Sequence, residues 1–279
     1  MTSDYLCNLI VPGAAKSGTS SLHEALNEHP KISMSENKEP HYFSRADKYS
    51  QGVAYHNNLF AQGNEIKVFG ESSTSYMIWP DAIEKISKNL KKPKIIILLR
   101  HPVSRTISHW KWRVKLGLEV RSLVESVKTD GYGFDPEKPH GFGHRAYLQF
   151  SKYSQYCPLW IDRFGQENCL FITHYDLSKN FQATMSMCFS FLNVDDYIFA
   201  HDVNANGTND LTARPKPFMT KMMSPLPSRL KKTALYRYFR NLILKMYTPK
   251  TKTKVSEEDI KIIEDLLKED IDYFKMMAN

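Results

Sequence analysis

The sequence predicts an α/β fold in which helices flank a central, mainly parallel β-sheet. Short apolar runs rich in β-branched residues alternate with helical patterns along the chain, which is typical of this fold class. The run KIIILL at residues 94–99 is apolar on both faces, as a central parallel strand requires. No internal repeat and no long linker divides the 279 residues, so we expect a single domain over residues 1–279.

The first half of the chain supplies the first strands and helices of this alternation. LCNLIVP at residues 6–12 predicts a buried strand, and the loop GAAKSGTS then leads into a helix over residues 20–27. Residues 31–64 are rich in aromatic side chains and show no clear period. EIKVFG at residues 65–70 predicts a second strand, and a helix is expected to begin near Pro80 and Asp81.

The second half continues the same pattern after strand 94–99. Helices are predicted over residues 103–116, 145–164 and 181–192, and CLFIT at residues 169–173 predicts a strand. Residues 130–144 hold four Gly and two Pro, which predicts a loop, and residues 201–228 have an irregular composition. A basic amphipathic helix is predicted over residues 228–247. A last helix is predicted over 256–277, with Ser256 as its N-cap and Asp259 three residues later.

Composition excludes several classes of protein. Hydrophobic residues make up 42% and charged residues 24%, which is too apolar for a disordered chain. The four Cys are scattered without a C-x-x-C pair, so we expect neither a disulfide scaffold nor a zinc site. No apolar run approaches the roughly 18 residues of a membrane span, and the N-terminus lacks the pattern of a secretory signal. We therefore expect a cytoplasmic protein.

Positive charge is concentrated in one stretch of the chain. The net charge is +8, but residues 211–256 hold twelve basic and no acidic residues, and the remainder holds 26 basic and 30 acidic residues. This local excess favours an anionic partner, although a solvated face would have the same composition. The predicted helix 228–247 could lie on an anionic membrane as a peripheral contact, grip an anionic polysaccharide, or pack on the sheet with a wet basic side.

The loop after the first strand has the composition of a phosphate-binding loop. Small residues allow main-chain N–H groups to turn inward, and the following helix presents its N-terminal N–H groups to an anion. Lys16 adds a full positive charge at the tip of the loop. The order of residues differs from G-x-x-x-x-G-K-[ST], because Lys16 precedes Gly18.

The central strand ends in a cation where a kinase needs an acid. A magnesium-dependent phosphoryl transferase needs a carboxylate close to its nucleotide, whereas KIIILL is followed by Arg100. An Arg at the carboxyl end of a strand lies where open α/β sheets bind ligands, and it can grip a second phosphate. Ser108, in the next helix, can add a hydroxyl donor. The sequence therefore predicts two separate anion sites and no metal.

These residues lie in segments that carry a family resemblance. KSGTSSL at 16–22 and ILLRHPVSRTISHW at 97–110 resemble the two nucleotide motifs of sulfotransferases that use 3′-phosphoadenosine 5′-phosphosulfate (PAPS). The heparan-sulfate-type and bacterial carbohydrate-type branch is the more similar one. The resemblance extends over essentially the whole chain and is loosest between residues 200 and 255. It also includes HP at 29–30, EPHYF at 39–43, GESSTSY at 70–76 and THYDL at 173–177.

The resemblance implies a three-layer, P-loop-like fold and a donor site. The 5′-phosphosulfate would be held by Lys16, Ser17, Gly18, Thr19, Ser20 and Ser21. Arg100 and Ser108 would hold the 3′-phosphate, which distinguishes PAPS, and its product adenosine 3′,5′-bisphosphate (PAP), from ATP. Apart from the resemblance, Arg214 and Lys216 in the irregular region are charged residues that could also reach the nucleotide.

The resemblance also implies which residues carry the chemistry. Glu39 is the counterpart of the family's catalytic Glu, with Glu36 as a weaker alternative. As general base, Glu39 would take the proton of the attacking hydroxyl while Lys16 stabilises charge on the leaving phosphate. His41 is the alternative base, although a positioning role fits it better.

Two residues depart from the family pattern. His101 follows the strand-end Arg where an acid or Asn is common, and Ser72 stands where some members have a Lys. If that Lys assists catalysis in those enzymes, Lys38 or His41 is the nearest substitute.

The acceptor is the least determined part of the prediction. A sugar hydroxyl, on a glycan or glycolipid, is the leading expectation, with a tyrosine, a lipid or another hydroxylated metabolite as alternatives. A small-molecule kinase would share the first loop but should have a strand-end acid and depend on metal. A nucleic-acid-binding module would share the basic stretch. The two anion sites argue against both, and we expect no nucleic acid partner.

Overall fold

Five parallel strands form the sheet in the part of the protein that the structure describes, and this structure is a computed structural model. The structure describes residues 4–116, 118–130, 145–200 and 254–278. The strands are β1 (Leu9–Val11), β2 (Ile32–Met34), β3 (Val68–Ser72), β4 (Lys94–Leu99) and β5 (Cys169–Thr173). Their order across the sheet is β2-β3-β1-β4-β5, and all four neighbouring pairs are parallel. The predicted α/β class with a mainly parallel sheet is confirmed.

Helices cover both faces of the sheet and give three layers. The α-helices of the described ranges are α1 (Thr19–Glu28), α2 (Ala46–Tyr49), α3 (Gly52–Asn57), α4 (Pro80–Asn89), α5 (Pro102–Lys115), α6 (Leu123–Lys128), α7 (Tyr153–Phe164), α8 (His174–Lys179), α9 (Phe181–Phe191), α10 (Glu257–Leu266) and α11 (Lys268–Ala278). Short 3₁₀ turns lie at Thr74–Ile78, Gln149–Ser151 and Gln166–Asn168.

The two faces of β4 point into different apolar clusters. Ile96 and Leu98 pack with side chains of α1 and α9 on one face of the sheet. Ile95 and Ile97 pack on the other face with side chains of α4 and α7. Because both faces are buried, apolar residues fill the strand without the alternation of a half-exposed strand. The apolar run at residues 94–99 was the right signal for a central strand.

A third apolar cluster joins α5 and α6 to the C-terminal helices. Val103 and Trp110 of α5 pack there against Ile263 of α10 and against Leu267. Leu267 is buried and leaves the helical region, with φ −118° and ψ 22°, so it separates α10 from α11. The single helix predicted over residues 256–277 is therefore wrong in extent, because Leu267 leaves the helical conformation where it packs into this cluster. The predicted Ser256 cap is confirmed as a capping box with Asp259.

The helix predicted over residues 145–164 begins later than expected. Asp130 accepts hydrogen bonds from the main-chain N–H groups of Tyr147, Leu148 and Gln149. These bonds hold the segment in turns, and the helix α7 starts only at Tyr153. The sequence also gave no signal for β2, which is three residues long, or for the short helices α2 and α3.

Several sequence predictions fall on residues that are not described. The loop at 131–144, the irregular region at 201–228 and the basic helix at 228–247 lie outside the described residues, as do Arg214 and Lys216. Across the described ranges, none of the helices is both long enough and apolar enough to cross a membrane.

Candidate active site

Four of the predicted site segments meet at the carboxyl edge of the sheet. They follow β1, β2, β3 and β4, and the carboxyl ends of parallel strands lie at one edge. Main-chain hydrogen bonds fasten the segments to each other: the Glu39 N–H donates to the Ser72 carbonyl at 2.9 Å, and the Ser73 N–H to the Val11 carbonyl at 3.2 Å. The Ala14 N–H donates to the Leu98 carbonyl at 2.7 Å. The topology thus brings the loops together.

The loop after β1 has the backbone geometry of an anion cradle. Gly18 has φ 102° and caps the first turn of α1 in a left-handed conformation that favours glycine. A Cβ at this position would also lie 3.3 Å from the Leu98 side chain and 3.4 Å from the His174 ring. The Ser17 hydroxyl is buried beside the Tyr153 hydroxyl and makes no hydrogen bond of normal geometry to the residues that are described. An N-terminal helix turn and an unengaged hydroxyl are suited to a phosphate oxygen.

The hydroxyl groups predicted for this loop have different environments. Ser17 and Thr19 are buried, Ser21 is half-buried and Ser20 is exposed. Thr19 is the first residue of α1, so the main-chain N–H groups of Thr19, Ser20 and Ser21 belong to its first turn. These N–H groups have no partner within the helix and face the loop. They are therefore available to an anion.

Lys16 lies at the tip of the loop among other positive charges. Burial lowers the pKa of its ammonium to about 8, with further lowering from the neighbouring charges of Arg100, Lys38 and Arg105. Its Nζ lies 5.2 Å from the centre of the Trp112 ring, where the ring face attracts a cation. Burial and the neighbouring cations make the charged form of Lys16 less favourable. An anion that enters the loop would stabilise that charged form.

The strand-end Arg reaches the loop directly. Arg100 is half-buried, and its Nη1 donates to the Lys16 carbonyl oxygen at 3.1 Å. The Arg100 carbonyl accepts from the Tyr153 hydroxyl at 2.9 Å, which fixes the chain where β4 ends. Ser108 is half-buried in the second turn of α5, the helix that follows Arg100. The two predicted anion sites therefore share one edge of the sheet.

Arg105 supports the loop from inside the protein, and the sequence did not single it out. It is fully buried and donates to the Ala15 carbonyl at 3.3 Å, to the Tyr147 carbonyl and to the Ser151 hydroxyl. Burial lowers the pKa of its guanidinium to about 10. Charged residues in an amphipathic helix ordinarily face water, so the helical pattern predicts an exposed Arg105. Its place within the motif ILLRHPVSRTISHW was the one sequence signal for a role in the site.

Glu39, which follows β2, is held by donors from the segment after β3 and from its neighbour Lys38. The Thr74 N–H donates to its Oε2 at 2.8 Å, and the Thr74 hydroxyl donates to its Oε1 at 2.9 Å. Lys38 Nζ contacts Oε1 at 2.8 Å. Glu39 itself has φ 63°, a left-handed conformation that is uncommon for a residue with a Cβ. Glu36 is exposed in the same turn. Of these contacts, the sequence missed those of Thr74.

His41 lies close to Glu39 without a normal hydrogen bond between them. Its Nε2 is 3.7 Å from Glu39 Oε2, and its Nδ1 is 2.9 Å from the Ser75 hydroxyl. Burial lowers the pKa of the imidazole, although the charge of Glu39 acts in the opposite direction. The neutral ring is therefore the favoured form near pH 7.

Ser72 is engaged with a histidine of α1. His23 Nδ1 lies 2.9 Å from the Ser72 hydroxyl, and both residues are buried. Burial lowers the pKa of His23 to about 4, so the ring is neutral at pH 7. This pair carries no positive charge into the site near neutral pH.

Comparison with known proteins gives one family. The family model described as Sulfotransferase domain matches residues 7–211. The human heparan sulfate glucosamine 3-O-sulfotransferase 3B1 is 33% identical over 174 residues, which cover 61% of this chain and 42% of that protein. The membrane-associated sulfotransferase kil1 of Dictyostelium discoideum is 34% identical over 113 residues, or 39% of this chain and 24% of kil1. The matched regions thus span less than half of these two relatives.

Solved structures give the same fold. A sulfotransferase from Alicyclobacillus acidocaldarius superposes with a TM-score of 0.61 at 24% identity, covering 83% of this chain and 98% of that one. Mouse sulfotransferase SULT7A1, solved in complex with PAP, superposes with a TM-score of 0.50 at 14% identity, covering 96% of this chain and 85% of that one. At these identities the likeness concerns the fold, which is the P-loop-like α/β architecture.

Proposed function

Because the chain belongs to the PAPS-dependent sulfotransferase family, we propose that it transfers a sulfuryl group from PAPS to a hydroxyl of a carbohydrate and releases PAP. The observation that carries this proposal is the contact of the Arg100 guanidinium with the Lys16 carbonyl at 3.1 Å. It joins the two basic loops at one sheet edge, as a nucleotide with phosphates at both its 3′ and 5′ positions requires.

The donor site is proposed to consist of the two loops. Lys16 and the N–H groups of Thr19, Ser20 and Ser21 would bind the 5′-phosphosulfate, together with the hydroxyl of Ser17. Gly18 allows the loop to turn closely around the phosphate. Arg100 and Ser108 would bind the 3′-phosphate. Arg214 and Lys216, outside the described residues, are proposed to add charge to the same nucleotide.

The proposed chemistry divides its roles between Glu39 and Lys16. The donor supplies the sulfuryl group and a bisphosphate leaving group. As the acceptor oxygen bonds to sulfur, its proton passes to the Glu39 carboxylate, which Thr74 holds by two hydrogen bonds. The bond from sulfur to the bridging oxygen breaks, and the electron pair stays on the phosphate, where Lys16 offsets the new charge. His41 is proposed to orient the acceptor side, because its ring is near Glu39 but not bonded to it.

A glycan is the acceptor class that the relatives favour. Several matched relatives are named heparan sulfate glucosamine 3-O-sulfotransferases. We extend this to a glycan or glycolipid acceptor, and we propose a cytoplasmic protein whose basic segment 228–247 contacts an anionic membrane or polysaccharide. No metal is assigned a role in the transfer, since Lys16 and Arg100 supply the positive charge.

Calorimetry tests the donor site. Wild type and Arg100→Ala are titrated with PAP, and separately with ADP plus Mg²⁺. We expect PAP to bind equally well in EDTA and in Mg²⁺, and to lose most of its affinity in the variant. A preference for ADP with Mg²⁺ would replace the proposal with a kinase.

The acceptor is tested by transfer from ³⁵S-labelled PAPS. Desulfated heparan oligosaccharides, a glycolipid, a tyrosine peptide and a phenol are compared as acceptors. Labelling of the oligosaccharide or the glycolipid is the expected result. Labelling confined to the peptide or the phenol would keep the chemistry and overturn the glycan.

A further inference from the structure

Lys38 directly precedes the proposed base and lies against it in space. Its Nζ is 2.8 Å from Glu39 Oε1, and the side chains of the two residues are only 23% and 27% exposed. Lysine side chains ordinarily extend their ammonium groups into water. The ammonium of Lys38 is instead mostly shielded from water and lies against the proposed base. The proposed function gives Lys38 no task.

Orientation of Glu39 does not require Lys38. Thr74 already donates to both carboxylate oxygens, at 2.8 Å from its N–H and at 2.9 Å from its hydroxyl. An ammonium group has three N–H donors, and the contact with Oε1 uses one of them. Among the residues that the structure describes, no second partner engages the ammonium, so two donors of Lys38 remain for a ligand that comes to the same carboxylate.

The charge of Lys38 acts on the loop as well as on the base. It contributes to the lowered pKa of three residues, namely Lys16 in the loop, His23 on α1 and His41. The same ammonium contacts Glu39 Oε1 at 2.8 Å. A sulfuryl group that moves from the loop to an acceptor at Glu39 would therefore be exposed to this positive charge.

Three neighbouring groups that could carry a positive charge are engaged elsewhere. His23 is neutral at pH 7 and is bonded to the Ser72 hydroxyl. Arg105 is buried on the Ala15 carbonyl, behind the loop. Arg100 is bonded to the Lys16 carbonyl, at the end of β4. Within the described residues, Lys38 is the cation that contacts the proposed base.

We propose that Lys38 is a catalytic residue whose ammonium binds the oxygens of the sulfuryl group while it is transferred. The proposal rests on the proposed function, since it needs a sulfuryl group between Lys16 and Glu39. Lys38 stays protonated throughout, donates hydrogen bonds to the non-bridging oxygens, and forms and breaks no covalent bond. Its third donor stays on Oε1 of Glu39, whose orientation is set by Thr74. Its stabilisation is therefore directed at the sulfuryl group rather than at the nucleotide.

Lys38→Met tests this role, because it removes the charge and keeps an unbranched side chain. We expect kcat to fall by about 10²–10³-fold, as when one preorganised donor is removed from a transition state. The affinity for PAP, which lacks the sulfuryl group, should stay within about threefold of wild type. The affinity for PAPS should fall by about tenfold or more, and Lys38→Arg should recover part of kcat. Lys31→Met is the matched control, because Lys31 is paired with Asp195 and precedes β2 at the opposite end of the strand.

The possible outcomes separate this proposal from the proposed function. If wild type neither binds PAP nor transfers sulfate, the proposed function fails. If wild type does both and Lys38→Met has kcat within threefold of wild type, Lys38 is not catalytic. Equal losses of PAP and PAPS affinity would assign Lys38 to nucleotide binding and overturn the proposal. If Lys38→Met lowers the urea midpoint of unfolding and also abolishes PAP binding, Lys38 has a structural role, and the proposal is overturned as well.

Discussion

Arg100 donates a hydrogen bond from its guanidinium to the main-chain carbonyl of Lys16, at 3.1 Å across 84 residues of sequence. The bond fastens the end of β4 to the loop after β1. Arg105 makes a second bond of this kind, to the Ala15 carbonyl at 3.3 Å. The loop is therefore held by two guanidinium groups before any ligand arrives, which reduces the ordering that binding requires.

Ser108→Ala should weaken PAP binding without affecting a nucleotide that lacks the 3′-phosphate. A hydrogen bond to a charged group contributes about 1.5–3 kcal/mol, so we expect roughly a 10- to 150-fold weaker affinity for PAP. Adenosine 5′-phosphosulfate should bind wild type and variant equally. Ser87→Ala is the control, because the Ser87 hydroxyl bonds the Glu84 carbonyl in α4. Equal losses for both nucleotides would place Ser108 elsewhere in the donor site.

Donor binding should become proton-linked above about pH 8. Burial lowers the pKa of Lys16 to about 8, below the usual 10.5 of a lysine. Below pH 8 the free protein already carries the charge, whereas above it the ammonium must regain a proton when the anion binds. PAP affinity should therefore fall as pH rises through 8. Calorimetry in two buffers of different ionisation enthalpy should detect proton uptake at pH 8.5–9 and much less at pH 6.5.

The variant Lys16→Arg tests whether the proton taken up on PAP binding is bound by Lys16. Lys16→Arg keeps the charge at all these pH values because a guanidinium does not deprotonate in this range. Its PAP binding should take up no proton at pH 9, whatever its affinity. Proton uptake that persists in this variant at pH 9 would belong to another group.

Glu39→Gln should remove most of the turnover and leave PAP binding almost unchanged. The amide keeps the shape of the side chain, but it cannot accept a proton from the acceptor hydroxyl. General bases typically contribute about 10²–10⁴-fold, and we expect kcat to fall by that factor. Glu36→Gln is the matched control, because Glu36 is exposed in the same turn. A large loss for Glu36→Gln with a small one for Glu39→Gln would reverse the assignment.

The sequence predicted those features that are encoded in contiguous residues. The run at 94–99 carries its own signal for a central strand, and the observed strand has the same bounds. The loop around Lys16 lies between a strand and a helix, so its position at the carboxyl edge followed from the fold class. Arg100 was found because it directly follows that strand. The roles of Lys16, Arg100 and Glu39 stay predictions.

The sequence could not predict contacts between distant segments. Thr74 holds Glu39 across 35 residues of sequence, and no local pattern around either residue predicts this contact. The burial of Arg105 depends on the turns at 145–152, which are themselves set by the Asp130 carboxylate. Such contacts form only when the sheet brings separate loops together, so local sequence patterns do not predict them. Leu267 shows the same limit, since a tertiary cluster divides a segment with continuous helical pattern.

The pair of His56 and Glu71 is buried beneath the site, and breaking it should destabilise the fold. His56 Nε2 is 3.2 Å from Glu71 Oε2, and both side chains are fully buried. Glu71 directly precedes Ser72 in β3, so the pair underlies the segment that carries Thr74. Removing one partner leaves the other polar group buried without it, which costs about 3–5 kcal/mol.

His56→Leu therefore tests the pair by urea unfolding. We expect the free energy of unfolding to fall by about 3–5 kcal/mol. Lys31→Ala, which breaks the exposed pair with Asp195, should cost less than about 1 kcal/mol. Adding Glu71→Gln to His56→Leu should cost less than the sum of the single variants, because the second change removes a group that is already unpaired. Additive costs would mean that the two side chains stabilise the fold separately, through the aromatic rings around His56 and the strand around Glu71.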